Sequence, residues 1–149
     1  PEAPGRILGI ELAAGQSLIC QKDAFMAAQE GVKMEIAFSK RLGAGFFGGE
    51  GFILQKITGP GVVWLEIAGD VREYDLASGE VMRIDPGHIA MYDDGVDYSI
   101  ETVRGVKNVL FGGEGLFLAT LRGPGRIWLQ TMPLNNLAAK IAQYIPSKG

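Results

Sequence analysis

A stretch of eight residues occurs twice in this chain, at a spacing that restricts the fold to a duplication. Phe47-Gly-Gly-Glu-Gly-Phe-Ile-Leu54 returns as Phe111-Gly-Gly-Glu-Gly-Leu-Phe-Leu118, 64 positions later. Gly59-Pro-Gly-Val-Val-Trp-Leu65 returns as Gly123-Pro-Gly-Arg-Ile-Trp-Leu129 at the same offset of 64. Carried backward without a gap, the offset sets Leu12-Ala13 on Leu76-Ala77, Gly15 on Gly79, Gly31-Val32 on Gly95-Val96 and Ile36 on Ile100. A fixed period of this kind marks tandem supersecondary units. The chain therefore reads as a single domain, 1–149, with repeat one over about 6–69, repeat two over about 70–133 and a tail beyond them.

Each unit reads as β structure. Val96-Asp97-Tyr98-Ser99-Ile100-Glu101-Thr102-Val103 alternates apolar with polar, the period of a half-buried strand, and Val32–Phe38 does the same. Ser78-Gly79-Glu80 and Asp94-Gly95 are turn signals. The two Gly-Pro-Gly runs read as type II turns, with proline presetting φ and the next glycine accepting φ > 0. Ala24–Glu30 has a helix-friendly composition, but its repeat partner His88–Asp94 reads as a strand after a Pro-Gly turn, so both are assigned to strands. Only the tail has helical period: Leu134, Leu137, Ala138, Ile141, Ala142 and Ile145 form one apolar stripe between Pro133 and Pro146. That predicts a short C-terminal helix over about 134–145, packed on the core or on another subunit. The fold class is all-β, a double-stranded β-helix or jelly-roll-like sandwich from two tandem β repeats.

Composition excludes several functions. The net charge of −3 gives no electrostatic case for nucleic acid or an anionic membrane. No apolar run approaches the roughly 18 residues of a spanning helix, so no stable membrane insertion is expected. Cys20 is the single cysteine and His88 the single histidine, so neither a thiolate cluster nor a multi-histidine metal site can form within one chain. A lone thiol fits a cytoplasmic setting. No cofactor and no metal are expected.

Duplication also sorts the candidate residues. Positions kept in both units are assigned to the fold: Gly48, Gly49, Glu50 and Gly51 with Gly112, Gly113, Glu114 and Gly115 as bulge and turn residues, and Trp64 and Trp128 as core anchors. Positions that differ are free of that explanation. Arg122 and Arg126 flank the second Gly-Pro-Gly, where the first unit has Thr58 and Val62, and two guanidiniums at one turn could hold a phosphate or carboxylate. His88 replaces Ala24 and stands near Asp85, Asp93 and Asp94, a pairing that could form a general base or a weak metal site, or else a hydrogen-bonded turn. No nucleophile motif occurs, so no catalytic residue is assigned.

The run Phe-Gly-Gly-Glu-Gly-Leu-Phe-Leu118, followed by Gly123-Pro-Gly-Arg-Ile-Trp-Leu-Gln-Thr-Met-Pro133, resembles the twenty-fourth altered-inheritance-of-mitochondria family. That resemblance implies a β-sandwich built from repeats, with a fold like the tryptophan RNA-binding attenuation protein. It further implies a homo-oligomer, usually a trimer, with no agreed activity. The expected function is a non-catalytic oligomeric β-scaffold or binding protein whose partner is itself. The alternative is a cupin-like enzyme or small-ligand binder using His88 and nearby acidic residues. RNA or membrane-associated binding by fold or family analogy is a weaker third.

Overall fold

The structure, a computed structural model, describes residues 4–40, 51–103 and 116–146. The first unit supplies β1 (Gly5–Leu12), β2 (Ser17–Gln21), β3 (Phe25–Ala28), β4 (Lys33–Lys40), β5 (Phe52–Thr58) and β6 (Gly61–Ala68). The second supplies β7 (Val71–Leu76), β8 (Val81–Ile84), β9 (Ile89–Asp93), β10 (Asp97–Val103), β11 (Leu116–Arg122) and β12 (Gly125–Gln130), before α1 (Leu134–Ala142). The two segments of ambiguous composition begin in short 3-10 turns, Lys22–Ala24 and Pro86–His88, and continue as strands β3 and β9. All of the strand pairings described are antiparallel. Even an irregularity is repeated: the register of β3 on β6 shifts between Phe25 and Ala27, and that of β9 on β12 shifts opposite Trp128 and Leu129.

Each unit is a pair of three-stranded sheets, β1-β6-β3 with β4-β5-β2 and β7-β12-β9 with β10-β11-β8. The units join where β2 pairs with β9, giving one six-stranded sheet of order β4-β5-β2-β9-β12-β7. Neighbouring residues on a strand face opposite ways, so the two faces of this sheet can be read separately. Ile19, Phe52, Leu54, Tyr92 and Ile127 pack with Ile100, Ala119 and Leu121 of the β10-β11-β8 sheet. Leu18, Cys20, Ile57, Met91 and Trp128 pack with Leu12, Val63 and Leu65 of the β1-β6-β3 sheet. The all-β sandwich is thus layered: a central sheet buried on both faces, with a smaller sheet on either side.

That layering corrects one expectation. Trp128 is only 8% exposed within the second core, whereas Trp64 is half-buried on the outward side of β6. There it lies over Gly9, where an added Cβ would stand 3.3 Å from the indole Nε1. Equivalent tryptophans differ because β12 lies in the doubly covered sheet and β6 in a sheet with one covered face. The Gly-Pro-Gly turns also differ from the type II assignment: Gly59-Pro60 and Gly123-Pro124 are both cis peptides, with φ of +133° at Gly61 and +141° at Gly125. Helix α1 ends at Ala142 and buries none of its residues, so its stripe makes no core in its own chain. No helix among the described residues is long and apolar enough to cross a membrane.

The central sheet and the β10-β11-β8 sheet packed on it contain groups that titrate only in alkali. Burial pushes the Cys20 thiol up to about 12. Burial likewise raises Tyr92, with Tyr98 and the carboxylates of Asp94 and Asp97 adding to it, and burial alone raises Tyr98. In the unfolded chain these groups lose their protons from about pH 8.5 to 10, so above that range the native state binds more protons than the unfolded one. Stability should be flat up to about pH 8.5 and then fall, each group contributing at most about 1.4 kcal/mol per pH unit. Urea midpoints at pH 7, 9 and 10.5 check this, and Tyr98→Phe should flatten the decline. An unchanged midpoint across that range would contradict it.

Candidate functional site at the junction of the repeats

Where the units use different residues for the same task, the task is structural. The Gln16 side chain accepts the Ala13 N–H at 3.0 Å, and Glu80 accepts the Ala77 N–H at 2.8 Å, both across the same tight turn. Gln29 accepts the Val62 N–H at 2.9 Å, and Asp93 accepts the Arg126 N–H at 3.0 Å. Each pair is again 64 positions apart. Asp93 therefore locks a turn, and it also engages the Arg126 guanidinium, at 3.1 Å to Nε and 3.3 Å to Nη2. This hydrogen bond is the main reason the Arg126 pKa is raised. The guanidinium stacks over Trp128 at 4.9 Å, and the Trp128 indole donates to Glu73 at 2.8 Å.

The two arginines do not converge. Leu121 and Ile127 both point into the core between the sheets, so strand alternation sends Arg122 to the outer face of β11 and Arg126 to the opposite face of β12. An anion clamp at this turn is not what the chain builds. His88 and Asp85 are also committed locally. Asp85 caps the 3-10 turn by accepting the Gly87 N–H at 2.8 Å, and the His88 Nδ1 lies 2.7 Å from the Gln130 carbonyl. Because a carbonyl only accepts, Nδ1 carries the proton, which leaves Nε2 as the basic nitrogen of the neutral ring.

Three places where the units diverge meet at one point: Gln21 against Asp85, Ala24 against His88, and Glu66 against Gln130. Gln130 is 7% exposed and stands at the centre. Its Oε1 accepts the Ala68 N–H at 3.1 Å, and its Nε2 donates to the Gly87 carbonyl at 2.8 Å and to Gln21 Oε1 at 3.2 Å. Gln21 and Ala68 belong to the first unit and Gly87 to the second, so one amide ties the units together. A cavity of about 50 Å³ opens beside it, lined by Gln21, Asp23, Glu66, Gln130 and Asn135 among others. Far below the roughly 300–1,000 Å³ of an ordinary ligand pocket, it has room for ordered water or a small polar group.

Sequence reasoning singled out His88 and Asp85 and missed Gln21 and Gln130, the better-buried half of the same network. The signal was present, since Trp64-Leu65-Glu66 and Trp128-Leu129-Gln130 differ only at the last residue. Among the described residues, no three His, Cys, Asp or Glu side chains gather in a way that could hold a metal ion. Gly51 is buried at φ +88°, as a turn glycine should be, while Gly48, Gly49, Glu50, Gly112, Gly113, Glu114 and Gly115 lie outside the described residues.

Comparison with known proteins matches this geometry to a family. The chain is 28% identical over 148 residues to an uncharacterised protein of Streptococcus pyogenes serotype M6, covering 99% of this chain and 58% of that protein. It superposes on the X-ray crystal structure of a Streptococcus pyogenes protein from a structural genomics consortium with a TM-score of 0.77. The identity there is 26%, over 97% of this chain and 62% of that one. The chain thus spans about three fifths of the length of these two relatives. The family model described as "Mitochondrial biogenesis AIM24" matches residues 1–132. With that match running from the first strand through the last, the chain belongs to the AIM24 family.

Proposed function

We propose that the protein is a non-catalytic β-scaffold that works in the cytoplasm as an assembly of its own copies. Three copies is the number that the family resemblance implies, together with a fold like that of the tryptophan RNA-binding attenuation protein. The observation that carries this reading is the uncovered face of α1. Leu134 is 44% exposed, Ile141 50% and Ile145 64%, and no residue of the helix is fully buried in its own chain. An amphipathic helix that leaves much of its apolar stripe exposed at home is stabilised by burying it elsewhere. At the junction, Gln130 ties one unit to the other while Asp85 and His88 hold contacts within the second unit, which supports a structural role over chemistry there.

Light scattering on the purified protein tests the reading. The expected mass is a multiple of 16.0 kDa, falling towards the single-chain value in Ile141→Asp. A single-chain mass for the unmodified protein at micromolar concentration would overturn it.

A further inference from the structure

The two units are joined head to tail, and among the described residues the joint is made only once. Strand β2 of the first unit pairs with β9 of the second, with Leu18 opposite Asp93, Ile19 opposite Tyr92 and Cys20 opposite Met91. The equivalent of β2 in the second unit is β8, and the equivalent of β9 in the first is β3. A true twofold between the units would pair β8 with β3 as well. Instead, among the described residues, both stand at sheet edges, in the orders β10-β11-β8 and β1-β6-β3. The relation is therefore heterologous, of the kind that leaves one complementary surface open at each end.

Burial records the difference position by position. In the strands that meet, Leu18 is 3% exposed, Ile19 5%, Cys20 0%, Ala90 0%, Met91 0% and Tyr92 4%. At the equivalent places Met82 and Ile84 are only half-buried and Arg83 is exposed, while Met26 is 42% exposed, Ala27 half-buried and Ala28 exposed. Phe25, Met26, Val81, Met82 and Ile84 are more apolar than solvent-facing edges usually are, and Val81 is 43% exposed.

We propose that β8 of one copy pairs with β3 of the next, repeating between chains the β2–β9 joint that the chain makes within itself. The proposal rests on the assembly reading above and adds to the α1 face a second contact between copies. Transferring the register sets Met82 opposite Gln29, Arg83 opposite Ala28 and Ile84 opposite Ala27. Arg83 then lies diagonal to Glu30 on one face, within reach of opposite-charge pairing. Gln29 can lock its own turn and still pair, because its equivalent Asp93 holds Arg126 while paired with Leu18.

The test uses two exposed positions in the full chain, Ala28→Cys in one preparation and Arg83→Cys in another. Mixed and oxidised, they should form a disulfide-linked pair of chains, whereas the unmodified protein, whose Cys20 is buried, should not. Ile7→Cys, on the outward side of β1, mixed with Arg83→Cys is the control and should not cross-link. If light scattering shows an oligomer but no Ala28–Arg83 cross-link forms, the assembly uses another surface and this inference fails alone. A single-chain mass removes both readings. A chain carrying both substitutions that closes a disulfide within itself would also overturn the proposal.

Discussion

Gly123→Ala should cost the protein more than about 3 kcal/mol, a large share of the roughly 5–15 kcal/mol that holds a domain folded. The reason is backbone, not side chain. A Cβ on Gly123 would stand 2.4 Å from the Ala77 carbonyl oxygen and 2.6 Å from that of Leu76. Neither can step aside, because the Gly123 N–H donates to the Glu80 carbonyl at 2.9 Å and its carbonyl accepts from Gly79 at 3.3 Å. The repeat supplies an internal replicate. At Gly59 the Cβ would lie 2.4 Å from the Ala13 oxygen and 2.5 Å from the Leu12 oxygen, so Gly59→Ala should be as damaging. Gly79→Ala is the control, since φ is +78° but nothing lies within 4 Å, and only the conformational penalty of about 1 kcal/mol applies. Urea unfolding followed by tryptophan fluorescence separates them. Equal losses for Gly79→Ala and Gly123→Ala would refute the argument.

The same pair of glycines shows how far the sequence could be read. Strands and turns of both units come out of one offset, because turns need glycine and strands need alternation wherever they occur. What the offset cannot tell is how two similar units sit against each other. A repeat that packs head to tail gives equivalent residues unequal surroundings. Trp64 and Trp128 stand at equivalent positions of the repeat, yet one lies over Gly9 on an outer sheet and the other is in the core. The helical stripe of α1 was legible as a helix, but periodicity does not say whether its apolar face meets its own chain. Pairing of Arg122 with Arg126 failed for a local reason: four positions across a turn place Arg122 on the outer face of β11 and Arg126 on the Trp128 face of β12, not side by side. The junction, by contrast, was within reach of the repeat. Ala24 against His88 pointed to one edge of the polar network, and Glu66 against Gln130 points to its centre by the same logic.

Gln130→Ala should destabilise the protein by about 3 kcal/mol, because two buried groups and one part-buried group lose their partner together. The Ala68 N–H, the Gly87 carbonyl and the Gln21 side chain all depend on this one amide. A buried group left unsatisfied costs about 1–3 kcal/mol, while a surface glutamine contributes almost nothing. Coupling arises from the same contacts: Gln21→Ala with Gln130→Ala should lose less than the sum of the two single changes. Gln130→Glu sharpens the test, since it gives the second unit the residue the first unit carries at Glu66. A carboxylate can still accept from Ala68 but cannot donate to Gly87 or to Gln21, and at neutral pH it faces two oxygens with no proton between them. Those acceptors and its burial hold the introduced carboxyl above the ordinary range for glutamate. Its native state therefore keeps a proton that the unfolded chain has already lost, and the penalty grows as pH rises through about 4.3 and beyond. The difference in unfolding free energy between this variant and the unmodified protein should be largest near pH 7 and shrink towards about pH 4. A Gln130→Ala loss below about 1 kcal/mol, or a Gln130→Glu penalty independent of pH, would mean that the units are held together by strand pairing alone.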